Sequence, residues 1–205
     1  MSLRTPPGRA GRMWLLRRIA VGRRGRDVLE QKRRALLLEA ERLRGRRDEA
    51  RVAWEESARE AEQWWRRASV LAGQRPLRIT VALVPEPAEL TVRRRSSLGV
   101  TLPADPELRL PPPASSARGS SALAFAATAH RRALDAAATL AVAERAYAAT
   151  VAEAAATGQR LRAIDCRWLP EHEQALERLE LELDEVDRED AARVRWVIRR
   201  HESRR

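Results

Sequence analysis

The feature that most constrains the fold is a regular series of mainly apolar residues near the C-terminal end, between Leu161 and about Arg200. Its members lie three or four residues apart: Leu161, Ile164, Trp168, His172, Leu176, Leu179, Leu183, Val186, Asp190, Val194 and Val197. These spacings keep the side chains on one narrow side of a helix. A helix cannot bury so narrow a stripe by itself, so the pattern predicts a long partner helix elsewhere in the chain.

A second helical pattern of similar length runs from about Gly11 to Ala72. One seam repeats every seven residues, and a second seam lies four residues further on, interrupted at Arg47. The first seam is Leu29, Leu36, Leu43, Ala50, Ser57, Trp64 and Leu71, and the second is Ala40, Trp54, Ala61 and Ala68. Two such seams form an a/d pattern. The sequence therefore predicts a mainly α fold, in which the N- and C-terminal helices form a long antiparallel two-helix coiled coil.

The segment 73–120, between the two helical patterns, differs in composition. Prolines recur through it, and a helix interior tolerates them poorly. Leu77–Val84 alternates apolar residues with polar or small ones, and Glu89–Val92 is also rich in strand formers. These two stretches predict a small β-hairpin, or an irregular segment, at the turn end of the coil. Residues 104–121 are rich in proline and serine, which indicates a loop.

The chain from residue 121 to about Glu202 is predicted to be helical, with Ser120 or Ser121 as its cap. Pro170 lies inside this helix, next to consecutive spacings of four, and both features predict a kink or a change of packing near 168–172. The expected organisation is a flexible arm at 1–10, a coiled-coil helix at 11–72, the middle segment at 73–120, and a second coiled-coil helix with a tail at 121–205.

The net charge of +11 comes almost entirely from arginine, because Lys32 is the only lysine among the 205 residues. A chain this basic implies an acidic partner, which could be nucleic acid, anionic lipid or an acidic protein surface. No apolar run approaches the roughly 18 residues that a membrane-spanning helix needs. The arginine-rich N-terminus is expected to be retained rather than removed as a transit peptide, because the helical pattern begins inside it.

No catalytic, cofactor-binding or metal-binding residues are predicted. The three histidines are far apart in the sequence and form no metal-binding pattern: His130, His172 and His201. Three carboxylates on neighbouring helical turns, Glu180, Asp184 and Asp187, are expected to lie on a solvated face balanced by Arg178 and Arg188. A phosphate-binding glycine loop and a nucleophile motif are both absent from the sequence, which gives no support to an enzyme.

Two further features allow more than one interpretation. Trp64 and Trp65 are adjacent, so their side chains point about 100° apart on a helix. One of them fills the seam, and the other packs against segment 73–120 or forms a binding hot spot. Cys166 is the only cysteine, which excludes an intrachain disulfide, and it is expected to be a small packed residue.

Three blocks of sequence together match the pattern of a known family. The first runs from Arg23 to Leu29 and continues through Lys32, Arg33 and Leu36. The second is Leu98–Pro103, and the third comprises Leu161–Asp165, Leu169-Pro170 and Leu183–Asp190. In these blocks, and in their order, the chain resembles the D subunit of the V-type and archaeal-type (V/A-type) rotary ATPases, in which the second block reads M-G-V-x-V-P. Gly22 departs from the family, which often has alanine at that position.

The resemblance implies a central rotor shaft that couples ATP turnover in a ring of A and B subunits to rotation of the membrane ring and to proton or sodium-ion transport. The implied partners are the A and B subunits, the F subunit and the membrane-ring adaptor subunit of the C/d type. Leu98–Pro103 is expected near the turn end. Arginines from Arg4 to Arg26 and from Arg193 to Arg205 would lie within the ring. The implied location is peripheral, on the cytoplasmic side of the cell membrane, without direct membrane insertion.

Two other functions fit the charge and the stripes without this resemblance. The first is a basic coiled coil that binds nucleic acid, although no nucleic-acid partner is expected for a rotor shaft. The arginine clusters lack interleaved aromatic residues, which makes them weak evidence for nucleic-acid binding. The second is an adaptor that forms homodimers through the same apolar stripes.

Overall fold

The computed structural model describes residues 6–82, 86–112 and 120–202. Helix α1 (Gly8–Ala72) is followed by a short helix α2 (Gln74–Ala82) and by strands β1 (Glu89–Ser97) and β2 (Val100–Arg109). Helix α3 (Ser121–Ala163), a π-helical turn (Ile164–Trp168) and helix α4 (Leu169–Glu202) complete the chain. The prediction of a mainly α fold is confirmed, with two long helical segments and a small two-stranded antiparallel hairpin between them.

The chain divides into two compact units. The terminal unit combines residues 1–33 with residues 155–205, and the central unit comprises residues 34–154. Helix α1 contributes its first part to the terminal unit and the remainder to the central unit. In each unit, one stretch of α1 packs against a later helical stretch.

The helix pair of the central unit is antiparallel. Leu43 of α1 packs with Ala146 of α3, whereas Ala68, seven turns later in α1, packs with Ala122 near the start of α3. The predicted seams are buried at Leu36, Ala40, Leu43, Ala61 and Ala68. Arg47 fits the seam because its guanidinium carbon lies 4.6 Å from the ring centroid of Tyr147 and its charged end reaches Asp48. Small side chains in the seam allow the two helices to approach closely.

The helix pair of the terminal unit is also antiparallel. Gly11 lies against Leu179, and further along α1 Gly22 lies against Trp168. The stripe of the later helix is buried or half-buried from Leu161 to Leu183, as its spacing predicts. From Val186 onward the stripe is exposed. Helix α1 begins at Gly8, so within the described residues it covers the stripe only as far as Leu183.

The middle segment differs from its prediction in two places. Gln74–Ala82, which includes most of the predicted strand Leu77–Val84, is helical. Pro76 lies in the first turn of this helix, where its missing N–H costs nothing. Residues 83–85 lie outside the described part of the chain. The predicted strand Glu89–Val92 is confirmed and extends to Ser97.

The second part of strand β2, residues 104–109, lies in the stretch that was predicted to form a loop. Its prolines are tolerated because, in a two-stranded sheet, each strand has one edge without a hydrogen-bonding partner. Val92 pairs with Pro106 and Arg93 pairs with Ala104, which leaves Asp105 as an extra residue with a φ of 42°. This extra residue forms a β-bulge. The proline-rich composition therefore concealed a strand.

The hairpin is present between the two long helical segments as expected, but its tip lies away from the turn end of the helix pair. At its base, the carbonyl of Pro111 accepts a hydrogen bond of 2.8 Å from Arg131 of α3. Near its tip, Leu102 packs with Leu43 and Ala146. Leu43 lies about 43 Å along α1 from Ala72, at 1.5 Å per residue. The hairpin therefore runs back along the helices, and the expectation for Leu98–Pro103 is wrong.

The helix is irregular near the predicted position. The N–H of Leu169 donates to the carbonyl of Ile164, five residues earlier, and this bond closes a π-helical turn. Pro170 follows immediately and has no N–H, so the carbonyl of Cys166 loses its ordinary α-helical donor. A wider turn at this point costs little additional hydrogen bonding. The π-helical turn holds one residue more than an α-helical turn. This extra residue changes the direction in which the Trp168 side chain points.

Candidate interaction surfaces

A network of charged side chains attaches the hairpin to α1. The guanidinium of Arg42 donates two hydrogen bonds to the carboxylate of Glu39, at 2.6 and 2.8 Å, and Arg95 of β1 lies 3.5 Å from the same carboxylate. The side chain of Glu39 is only 16% exposed. The hydrogen bonds from Arg42 lower the pKa of Glu39 despite its burial, and the positive charges of Arg42, Arg95 and Arg46 add to this effect.

A groove of about 540 Å³ lies between the hairpin and the helix pair of the central unit. Its floor consists of small apolar residues that include Ala50, Ala53, Ala143 and Ala146, and its rim carries Arg46, Glu49, Arg95 and Asp105. Because alanine side chains are small, the backbone of a bound protein segment can approach the floor closely. The charged residues of the rim offer both hydrogen-bond donors and acceptors. The groove could accommodate part of another protein.

Aromatic side chains cluster near the turn end of the central unit. Trp64 stacks on Phe125 with ring centroids 4.7 Å apart, and it also packs against the alanine cluster around Ala68. Trp65 meets His130 edge-on at 5.6 Å, and Trp65 and Phe125 remain 42% and 54% exposed. Among the described residues, the ring contact of Trp65 is with α3. Exposed aromatic rings of this kind often form the centres of protein interfaces.

Trp168 contacts three residues in the terminal unit. Its ring stacks on His172 with centroids 3.9 Å apart and lies over Gly22 of α1. The guanidinium carbon of Arg18 lies 4.8 Å from the ring centroid of Trp14 and 5.8 Å from that of Trp168. A Cβ at position 22 would lie 2.7 Å from Cη2 and 2.9 Å from Cε3 of Trp168. This arrangement therefore requires glycine at position 22.

His172 is buried, as its place in the stripe predicts. Its Nδ1 lies 2.8 Å from the carbonyl oxygen of Trp168, which can only accept, so Nδ1 is the donor. Within the described residues, Nε2 has no hydrogen-bond partner. Cys166 is exposed, which corrects the expectation that it packs inside. It occupies the outward side of the π-helical turn.

Ion pairs connect the two helices of the terminal unit. Arg12 contacts Glu180 at 2.8 Å, and Arg26 contacts Asp165 at 2.7 Å. Glu180 therefore pairs across the helices, rather than with the neighbouring arginines on its own helix as expected. Exposed pairs of this kind contribute at most about 1 kcal/mol each to the free energy of unfolding. Their main effect is to favour one antiparallel register.

Over the described ranges 6–82, 86–112 and 120–202, no three His, Cys, Asp or Glu side chains come together in a cluster that could hold a metal ion. Among the helices described, none has an apolar stretch long enough to cross a membrane. The notable features of the described chain are therefore its surfaces: the groove, the aromatic cluster, the cleft at Trp168 and the exposed end of α4.

A family profile described as the D subunit of ATP synthase matches residues 13–199, which is nearly the whole chain. The chain belongs to the ATP synthase D subunit family. It is 28% identical over 196 residues to the A-type ATP synthase D subunit of Haloquadratum walsbyi, covering 93% of this chain and 84% of that protein. It is 28% identical over 201 residues to the A-type protein of Thermococcus gammatolerans, covering 95% and 94%.

A further relative is similar along nearly the whole length of both chains. The V-type ATP synthase D subunit of Anaeromyxobacter dehalogenans is 31% identical over 202 residues, covering 94% of this chain and 95% of that protein. Because the relatives carry A-type and V-type names, this chain is an ATP synthase D subunit of the V/A type. The resemblance found in the three sequence blocks is confirmed.

The sequence did not reveal the most specific contact of this D subunit. Gly22 was notable only as a departure from the family's common alanine, and Trp168 only as a member of the stripe. Their pairing joins residues 146 positions apart, and it depends on a π-helical turn that periodicity alone does not specify. The proline at position 170 and the repeated spacing of four were the available signals.

Proposed function

We propose that this D subunit is the central rotor shaft of a V/A-type rotary ATPase or ATP synthase, and that it performs no catalysis itself. The observation that best supports a shaft is the antiparallel pairing of long helices in both units, with α4 continuing beyond the start of α1. Two helices wound together resist bending better than one. A shaft needs this property to transmit torque between nucleotide turnover and proton or sodium-ion transport.

The A and B subunits of the catalytic head are the proposed partners of the terminal unit. Val194, Val197 and Ile198 lie on one side of the uncovered part of α4 and form an exposed apolar surface, which a surrounding ring of subunits would bury. The arginines of α1 and α4 would lie in the same ring. Arg4 and residues 203–205 belong to this proposed basic surface but lie outside the described residues.

The F subunit and the membrane-ring adaptor subunit are the proposed partners of the central unit. The groove beside the hairpin, with its alanine floor and charged rim, suits a helix of the F subunit. The exposed rings of Trp65 and Phe125, near the turn end, suit an apolar socket in the adaptor. The complex would then hold this chain peripherally, on the cytoplasmic side of the cell membrane.

Coexpression with the A, B and F subunits tests the proposal. We expect a stable complex on size-exclusion chromatography, and ATP-driven rotation of a bead attached to the hairpin while the A subunits are fixed to a surface. A chain that elutes alone, or a complex that hydrolyses ATP without turning the bead, would contradict a shaft.

A second comparison tests the role of the arginines. Neutralising arginines of α1 in the terminal unit should slow rotation more than it weakens binding of the F subunit. If F-subunit binding weakens more than rotation slows, the proposed position of these arginines in the ring is rejected. Binding of the F subunit serves as the control because its proposed site lies in the central unit.

A further inference from the structure

The cleft at Trp168 has an unusual combination of side chains. It has a volume of about 340 Å³ and lies wholly within the terminal unit. Its lining consists of Trp14, Arg17, Arg18, Val21, Gly22 and Trp168. Two indoles, one exposed valine and two guanidinium groups thus share one small surface, and the missing side chain at Gly22 makes room for the Trp168 ring.

Both arginines of the cleft lack an acidic partner within the described part of the chain. Three other arginines of α1 do have one: Arg12 pairs with Glu180, Arg23 with Glu173 and Arg26 with Asp165. Among the described residues, the guanidinium of Arg18 lies near the two indoles, and neither Arg17 nor Arg18 forms an ion pair with a carboxylate. The cleft therefore carries uncompensated positive charge beside apolar surface.

The position of Arg18 favours a carboxylate as its ligand. A guanidinium that stacks on aromatic rings uses its faces, while its N–H groups point outward in the plane. These N–H groups match the two oxygens of a carboxylate. The flanking indoles also hold the side chain in place, so less conformational entropy is lost when the carboxylate binds.

A phosphate group, such as that of a nucleotide, is less suited to this cleft. Phosphate sites commonly use free backbone N–H groups at a helix N-terminus or in a glycine loop. The α1 wall of this cleft lies inside a helix, where the N–H groups already bond to carbonyls four residues earlier. Side chains alone must therefore bind the ligand, and Val21, which is 71% exposed, adds an apolar contact.

We propose that this cleft binds a segment of the catalytic head in which an acidic residue stands beside an apolar one. The acidic side chain pairs with Arg18 and Arg17, and the apolar side chain packs on Val21 and the indole edges. This inference rests on the proposed function, because it assigns one contact between the shaft and the A or B subunits. It makes Arg18 a specific anchor rather than one of many positive charges.

The test measures the dissociation constant between the purified A/B head and the full-length chain. We expect Arg17→Glu with Arg18→Glu to weaken binding about tenfold or more, because both charges would then repel the acidic segment. The matched control, Arg132→Glu with Arg145→Glu, changes the net charge equally at exposed positions of α3 and should change binding less than twofold. Circular dichroism and thermal unfolding check that each variant folds like the unmodified chain.

A second variant separates a specific anchor from general attraction. Arg18→Lys keeps the charge but removes the planar group that stacks between the indoles, and we expect binding to weaken about fivefold. Unchanged binding in Arg18→Lys, or equal weakening in both double variants, would overturn the proposal. If the unmodified chain does not bind the head at all, the proposed function fails and this inference fails with it.

The remaining alternative is a nucleotide site, and titration of the free chain with ATP tests it. We expect no saturable change in tryptophan fluorescence at millimolar ATP. Saturable binding that disappears in the Arg17→Glu and Arg18→Glu double variant would identify a nucleotide site and overturn the proposal.

Discussion

Gly22 of α1 lies directly under the indole ring of Trp168, 146 residues later in the chain. The contact is possible because position 22 has no Cβ and because a π-helical turn precedes α4. Two features that each cost helix stability, a glycine and a wider turn, thus act together. Their combined effect is to fix the register of the two helices at one point.

Replacement of Gly22 by alanine should reduce stability. In an open helical position this change would raise the free energy of unfolding by up to about 1 kcal/mol. Here the new Cβ would displace the Trp168 ring from His172 and Arg18, and we expect a net loss of about 1–2 kcal/mol. Thermal unfolding measures both variants, with Gly25→Ala as the matched control because its Cβ would meet nothing within 4 Å. Stabilisation by both changes would contradict the contact.

A buried hydroxyl in the terminal unit offers a test in the opposite direction. Thr157 is fully buried, and within the described residues its Oγ1 has no hydrogen-bond partner. Thr157→Val keeps the shape and removes the unsatisfied group, so it should stabilise the chain by about 1 kcal/mol. Thr150→Val is the control, since Oγ1 of Thr150 donates to the carbonyl of Ala146 at 3.0 Å. Chemical denaturation should therefore give a larger gain for Thr157→Val, and equal changes would contradict this account.

Attachment of the hairpin should weaken in acid. The pKa of Glu39 is below its ordinary 4.5, chiefly because Arg42 donates hydrogen bonds to its carboxylate. The stability that Glu39 contributes is therefore fully present above about pH 4.5 and is lost as the pH falls through the lowered value. Glu39→Gln should remove this pH dependence and cost about 0.5–1 kcal/mol at neutral pH.

Unfolding free energies between pH 3 and pH 7 measure this difference. The gap between the unmodified chain and Glu39→Gln should be constant near neutral pH and should narrow in acid. Glu41→Gln is the control, because Glu41 is an exposed residue of the same helix and pairs only with Arg44 among the described side chains. A gap that widens in acid would refute the assignment.

The turn of the hairpin contains a conformationally unfavourable leucine. Leu98 has a φ of 53° and Gly99 a φ of 77°, and positive φ at both positions suits Asn-Gly best. Leu98→Asn should therefore stabilise the hairpin by about 1 kcal/mol. Slower amide exchange in β1 and β2 would report this gain. Gly99→Ala should destabilise the hairpin. Faster amide exchange in Leu98→Asn than in the unmodified chain would show that Leu98 makes a compensating contact.

The exposed end of α4 should affect assembly without affecting stability. Val194→Glu with Val197→Glu changes two exposed side chains, so the melting temperature of the isolated chain should hardly change. Association with the A/B head should weaken strongly, because two charges would enter the proposed apolar contact. Size-exclusion chromatography with the head measures the effect, and Val186→Glu shows how far the contact extends. Unimpaired assembly of the double variant would place the head elsewhere.

Periodicity predicted the helices well because each long seam has many members. Leu36, Leu43, Ala61 and Ala68 all lie where the heptads indicate. A few exceptions, such as Arg47 and the exposed seam members Trp54 and Leu71, do not disturb such a pattern. The same periodicity says nothing about how far the partner helix reaches, so it did not show that burial ends after Leu183.

The middle segment was harder to predict because its local signals conflict. Apolar alternation at Ile79 resembled a strand, yet nine residues with a proline in the first turn formed a helix. Pro106 belongs to a stretch whose composition resembled a loop, yet the two-stranded hairpin accommodates it. The position of the hairpin depends on tertiary contacts of Leu102 and Glu39, and short-range sequence patterns carry no information about such contacts.

The exposed apolar side chains at the end of α4 have a consequence for the production of this chain in a cell. A helix that presents Val194, Trp196, Val197 and Ile198 to water can self-associate through the same side chains at high concentration. Copies of this chain without a binding partner would therefore aggregate or be degraded. If the catalytic head is the partner, as proposed, matched synthesis of this chain and of the head subunits avoids that loss.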